Sequence, residues 1–296
     1  MFKADGMLLR IVSIVFPIFA IVLAGYWYGR VKKPDMRFAN QLNMDIFVPA
    51  LVFSALASKS FDWESYKVLA AGAAIVVLGS GLLAWPVGRL LGVNWKTFVP
   101  PMMFNNSGNM GLPLAILAFG QDALPAAVMM FLVSNTLHYS LGTWMLSPNA
   151  RLWNLWREPV MLASIAGLAV SVSGIAVWEP LYFAVRMTGD VSIPLLLFSL
   201  GVRLTQADFS DVKLGVVAGL VCPATGLVFA ALCVWLLPLT AGHAAMLIVF
   251  GALPPAVLNF VFSEQYGQEP QRVASIVMVG NLMSLAVVPL ALYWVL

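Results

Sequence analysis

Two stretches of this 296-residue chain interrupt apolar segments with polar groups and helix breakers. The first reads Phe104-Asn105-Asn106-Ser107-Gly108-Asn109-Met110-Gly111-Leu112-Pro113; the second reads Gly251-Ala252-Leu253-Pro254-Pro255-Ala256-Val257-Leu258-Asn259. Their chemistry is that of recognition. Pro254 and Pro255 remove two amide donors, and Pro255 pushes Pro254 towards extended backbone. Gly108 and Gly111 loosen the other stretch, Pro113 follows, and the three asparagines can bond backbone groups that lose their helical partners. Half-helices starting after two such breaks would turn N–H groups and positive dipole ends towards one point, which favours an anion without any lysine or arginine. Asn105, Asn106, Ser107 and Asn109, with Pro254, Pro255 and Asn259, are therefore candidate ligand contacts. Gly108, Gly111 and Pro113, again with the two prolines, are candidate determinants of the breaks.

The elements that position these residues must lie in lipid. Apolar residues make up 61% of the chain and charged ones 10%, with a mean hydropathy of +0.91, a balance that no soluble fold can bury. The formal charge of +3 comes from scattered basic residues, which excludes a nucleic-acid partner. Crossing the hydrocarbon core takes about 20 apolar residues. Uninterrupted stretches run over Ile11–Gly29, Val68–Gly88, Thr97–Gln121, Ala123–Ala150, Pro159–Trp178 and Val273–Leu296. Leu214–Ser263 holds two crossings with a turn at Pro238–His243. Arg37–Ser58 and Leu181–Arg203 add two more, interrupted by Asp45 and by Arg186 with Asp190. The sequence thus predicts an all-α polytopic membrane protein of ten transmembrane helices, with spans 4 and 9 broken. Lys3 and Arg10 precede the first span without a convincing cleavage site after it, so it reads as a retained span. The loops after spans 1, 3, 5, 7 and 9 carry eleven lysines and arginines against five on the other side, which predicts both termini outside the cytoplasm.

The chain also resembles itself at a separation near 145 residues. Asp45, Pro49, Leu51, Phe53 and Ser54 recur as Asp190, Pro194, Leu196, Phe198 and Ser199; Gly120-Gln121-Asp122 recurs as Gly267-Gln268-Glu269, and Asn135 as Asn281. Each half then holds five spans, and an odd number threads the second half in the opposite sense. Two inverted repeats, residues 1–148 and 149–296, are predicted. That is a recurring design of secondary transporters whose site lies between the halves at mid-membrane.

The run Ala252-Leu-Pro-Pro-Ala-Val-Leu-Asn-Phe-Val-Phe-Ser-Glu-Gln-Tyr266 resembles the ninth span of the auxin efflux carrier family, which includes the plant PIN-FORMED proteins and bacterial permeases. Met110-Gly-Leu-Pro113, with Asn106 four residues earlier, is similar to the family's other crossover. The resemblance implies the fold shared with bile acid symporters and sodium–proton antiporters. It implies a scaffold from spans 1, 2, 6 and 7, a transport domain from spans 3–5 and 8–10, and an elevator motion carrying a small carboxylate. A homodimer through the scaffold is commonly found. By the same resemblance Asn106 and Pro254 sit at the crossover and Ser134 is a polar substrate contact, with Asn135 and His138 beside it on the fifth span. Asn105 stands where the plant carriers have proline, and Pro255 where they have a polar residue, which argues against auxin itself. The short connection Ser147–Trp156 lacks the large loop of many plant members and points to a bacterial inner-membrane permease.

Asp45 reads two ways, as a proton or cation site or as a carboxylate favouring the N-terminus of its span. His138 similarly reads as a titrating group for ion coupling or as a packed, hydrogen-bonded side chain. Thr188-Gly189-Asp190 invites comparison with an intramembrane protease, but inversion would hold Asp45 and Asp190 too far apart for a dyad. No His-Glu-x-x-His, Walker loop or metal-ligand cluster occurs, so no cofactor or metal and no enzymatic activity are expected. A channel or a membrane ligand sensor on the same fold is the alternative to a carrier.

Overall fold

A computed structural model describes residues 2–58, 63–147, 157–205 and 210–296; the predicted connection Ser147–Trp156 and the boundary at 148/149 fall largely outside them. Among the described residues the regular structure is helical, with no strand. Six helices are long and apolar enough to cross a membrane: Gly6–Lys32, Tyr66–Leu90, Gln121–Leu146, Glu179–Leu204, Val212–Leu236 and Pro270–Val295. Shorter apolar helices run over Ser107–Phe119, Pro159–Ser173 and Ala241–Gly251.

In finer detail the chain forms α1 (Phe2–Lys32), α2 (Arg37–Leu42), α3 (Val48–Leu56), α4 (Trp63–Leu90), α5 (Trp95–Met103), α6 (Leu112–Phe119), α7 (Leu124–Leu137) and α8 (Thr143–Leu146). It continues with α9 (Pro159–Ser173), α10 (Glu179–Asp190), α11 (Ser192–Leu204), α12 (Val212–Leu236), α13 (Ala241–Gly251), α14 (Leu258–Gln265) and α15 (Pro270–Val295). Wide π-helical turns at Asn43–Phe47, Ser107–Gly111 and His138–Gly142 link α2 to α3, lead into α6, and link α7 to α8. Asn94 and Asp211 accept hydrogen bonds from N–H groups in the first turns of α5 and α12, and Thr240 does the same for α13, each satisfying a donor the helix cannot.

Several boundaries differ from those predicted. Pro159 starts α9 as expected, but Gly174 adopts a left-handed conformation and ends that helix at Ser173, five residues short of Trp178. Asp45 is not at a helix start. The helical run begins at Arg37, so the carboxylate lies in a mid-run π turn, and Asp190 lies at the joint of α10 and α11. Asp45 is therefore preceded by two turns of helix, whereas Asp190 directly precedes the N-cap of α11.

Two sets of helices can be told apart by what packs on what. α1 runs along α11, and α3 runs along α9 and α10. In the other set α12 packs on α4, α13 and α15, while α4 packs on α5 and α7. Small residues let backbones touch, as is usual where lipid gives no hydrophobic drive to helix association. A Cβ on Gly201 would lie 1.9 Å from the Val22 carbonyl oxygen, and one on Gly25 would lie 2.1 Å from that of Phe198, so α1 and α11 meet main chain to main chain. Gly226 and Gly251 do the same for α12 and α13, where an added Cβ on Gly226 would lie 2.0 Å from the Gly251 carbonyl oxygen. Outward faces are apolar and exposed, Trp27, Leu82, Trp235 and Leu290 among them, as befits helices solvated by acyl chains. Cys222 and Cys233 are both buried and unpaired.

Candidate functional site

Both predicted interruptions are present, and they meet. α5 stops at Met103, Phe104 is extended, and helix resumes at Ser107; α13 stops at Gly251 and α14 begins at Leu258. Asn105 and Pro255 form an isolated antiparallel bridge between the two gaps. The Asn106 N–H donates to the Pro254 carbonyl at 2.7 Å, and the Ala256 N–H to the Phe104 carbonyl at 2.9 Å. Asn105 and Pro255 are thus the pair whose own N–H positions point away from each other, which is why a residue without an N–H fits at 255. The first break is narrower than the Asn105–Asn109 stretch suggested, because Ser107, Gly108 and Asn109 already belong to the π turn.

Side-chain amides satisfy what the helices give up. Asn105 Nδ2 donates to the Phe250 carbonyl at 2.6 Å near the end of α13, and Asn259 Nδ2 donates to the Phe104 carbonyl at 3.0 Å. Asn281 on α15 ties both breaks together: its Nδ2 donates to the Pro255 carbonyl and its Oδ1 accepts from Asn106 Nδ2, each at 2.9 Å. Asn106 therefore braces the crossing, so Asn106→Ala would remove a structural bond as well as any ligand contact.

Beside the crossing lies a cavity of about 300 Å³, at the lower end of small-molecule pockets. Asn105, Asn106, Ser107, Gly108 and Asn109 line it from one side, and Ser134, Asn135, His138 and Tyr139 from α7 and its π turn. All three π turns border it, through Asn43 and Met44, Ser107 to Asn109, and His138 and Tyr139. A π turn widens a helix by one residue and often marks a functional site. Ala256, Val257 and Leu258 close the second break's side. Pro254, Pro255 and Asn259 are not part of the lining; the prolines contribute carbonyls to the crossing, and Asn259 caps Phe104 behind it. Asp45 is exposed and also outside the lining, as are Gly111 and Pro113. His138 is 4% exposed and stacked on Phe104, ring centroids 4.1 Å apart, with Phe262 edge-on.

Other wall residues were not singled out by sequence. Asn40, Gln41 and Asn43 from α2 and its π turn, and Leu196, Ser199 and Arg203 from α11, complete the cavity. Ser199 donates to Asn40 Oδ1 at 2.5 Å, tying those two elements. The signals in the sequence are Asn40, Gln41 and Asn43 inside an otherwise apolar span, and the arginine that closes the Leu181–Arg203 span. Among the lining residues Arg203 alone carries a formal charge; there is no aspartate, glutamate or lysine. The amide oxygens of Asn43 and Asn105, both buried, have no protein hydrogen-bond partner. Unpaired buried acceptors call for water or a ligand donor.

Curated relatives extend over nearly the whole chain. It is 24% identical to a protein of Rhizobium meliloti (strain 1021) named "Putative malonate transporter", over 96% of this chain and 95% of that one. It is 22% identical to an "Uncharacterized transporter" of Methanocaldococcus jannaschii, over 94% and 96% respectively. The model of the membrane transport protein family matches residues 10–153 and 144–293. The chain belongs to the auxin efflux carrier-like membrane transport family, and with its apolar helices it is an integral membrane transport protein for a small molecule rather than an enzyme.

Proposed function

We propose that this protein is a secondary transporter of a small organic anion bearing a carboxylate, bound at the crossing of the two broken helices and moved by an elevator-type exchange of exposure. The observation that carries this reading is a cavity that gathers asparagine, serine and arginine side chains against the start of the Ser107–Phe119 helix. The first N–H groups of any helix lack intrahelical acceptors. Here that of Ser107 turns back to the Asn105 carbonyl at 2.9 Å, which leaves those of Gly108 and Asn109 for a ligand at the cavity wall. Ser107, Asn109, Ser134 and Asn135 have side chains free of hydrogen bonds among the described residues, and Asn106 and His138 shape the pocket around them. The relative named for malonate supports a carboxylate as the cargo.

In this reading the chain makes ten crossings in two inverted halves, 1–148 and 149–296. The packing of α1 on α11 and of α3 on α9 and α10 supports a scaffold of spans 1, 2, 6 and 7, and the packing of α12 on α4, α13 and α15 supports a separate transport domain. The excess of lysine and arginine in the loops after the odd-numbered spans supports both termini lying outside a bacterial inner membrane. The same scaffold offers a surface for a homodimer. Asp45 and His138 keep a place as coupling candidates, to be judged by gradient dependence.

The test is uptake of labelled acetate, lactate, malonate and succinate into proteoliposomes, with and without sodium and pH gradients. Saturable uptake of at least one carboxylate is expected. A flux that rises without saturation would replace the carrier with a channel, and no flux together with tight binding would leave a sensor.

A further inference from the structure

Arg203 stands out among the cavity residues because it carries the formal charge there and forms no ion pair among the described residues. Glu264 on α14 acts on it through space without forming a salt bridge. A guanidinium stays protonated at any pH the protein meets, and a half-buried one without a partner is unfavourable unless an anion visits it.

Its aim is fixed by packing. Successive residues turn by about 100° around a helix axis, so Leu196, Ser199 and Arg203 share one face of α11, and all three line the cavity. Phe198 and Gly201 occupy another face and meet the backbone of α1 at Gly25 and Val22. Val202 and Thr205 abut Gly29 in the same way. With those backbones in contact α11 cannot rotate, and the Ser199–Asn40 bond holds the near end of the cavity wall.

The cavity therefore has two anion-attracting poles on different elements: the free amides at Gly108 and Asn109, and the guanidinium of Arg203. An arginine matches a carboxylate with two parallel N–H donors. We propose that Arg203 is the residue that counts charge at this site: it takes the second carboxylate of a dianion whose first carboxylate sits at the Ser107–Phe119 helix start, and so selects dicarboxylates over monocarboxylates. This rests on the carboxylate reading above and deepens it. Because Arg203 belongs to α11 and the amide pole to the crossing, a bound dianion bridges the two sets of helices. Glu264, whose charge acts on the same guanidinium, competes with the bound dianion.

The experiment compares malonate with malonamate, and succinate with succinamate, each half-amide having nearly the same shape and one charge fewer. Affinities are measured by isothermal titration with purified protein and by competition in proteoliposomes. The unaltered protein is expected to prefer each dianion at least tenfold. Arg203→Gln is expected to lose that preference while changing the half-amide less than threefold, Arg203→Lys to retain part of it, and Glu264→Gln to raise dianion affinity a few-fold. Equal affinity for dianion and half-amide in the unaltered protein overturns the proposal, whether or not the variant folds. So does an Arg203→Gln protein, eluting normally on size exclusion, that weakens both ligands alike or neither. Binding of the half-amides without charge preference would sink only the role of Arg203; binding of no carboxylate would sink the transport reading as well.

Discussion

The two breaks that meet at the centre of this molecule solve one problem by opposite means. Inside a bilayer every backbone group released from a helix must find another partner. The first break, at Phe104 to Asn106, supplies donors: backbone N–H of Asn106, and amide side chains at Asn105 and Asn106. The second, at Ala252 to Val257, removes two donors by placing prolines at 254 and 255, and presents their carbonyls together with the Ala256 N–H, which donates back to Phe104. Pro254 accepts from Asn106 and Pro255 from Asn281. An asparagine-rich gap and a proline-rich gap are complementary halves of one hydrogen-bond ledger, so neither should tolerate being made like the other.

The sharpest way to break that complementarity is Asn281→Ala. It strips partners from Asn106 Nδ2 and the Pro255 carbonyl together, at about 1–3 kcal/mol for each buried group, so a loss on the order of 3–5 kcal/mol is expected in unfolding of the purified protein. An unaltered melting curve would show that the two gaps do not depend on each other. Next in size are two glycine substitutions that probe how rigidly each gap is mounted. Gly226→Ala drives a methyl into the Gly251 carbonyl, backbone that cannot yield, and should cost about 2–3 kcal/mol. Gly142→Ala meets ring atoms of Phe104 and His138 at 2.9 Å, which can shift, so it should cost less. If both melt alike, the second gap is no more firmly held than the first. Asn259→Ala should be milder, about 1 kcal/mol, because the Phe104 carbonyl keeps its bond from Ala256.

The smallest effect concerns the edge of the membrane, where α5 and α15 begin. The Thr97 hydroxyl, and after it Arg272, hold the Glu269 carboxyl below its ordinary range. A carboxylate whose folded-state pKa is lowered stabilises the protein above its unfolded pKa, and that contribution fades as pH falls through the folded value. Glu269→Gln should therefore cost a few tenths of a kcal/mol at pH 7, as for other partly solvated pairs, and nothing once the carboxyl is protonated in acid. The difference between the two proteins' melting temperatures across that titration checks it.

Much of this arrangement was legible in the sequence. Proline pairs and asparagine–glycine runs in apolar segments admit few structures in lipid, which is why Asn105, Asn106, Pro254 and Pro255 could be placed at breaks before any coordinates. The residue-level roles were less legible. Asn106 and Asn259 donate to Asn281 and to the Phe104 carbonyl, partners 175 and 155 residues away that local sequence gives no hint of. The π turns carry no composition signal, so Asn43 was passed over although it is 1% exposed at the cavity. Arg203 closes the predicted Leu181–Arg203 span, where arginines ordinarily face water or headgroups; only the Gly201 and Gly25 contacts reveal which way its helix is turned.

Those contacts have a mechanical consequence. Two helices whose main chains touch over Gly25 and Gly201 cannot slide or twist past one another without collision, so α1 and α11 behave as a single stiff post. In the elevator motion proposed above, the moving helices would travel along that post, and a methyl group added to either glycine would bend the rail before it reached the cargo.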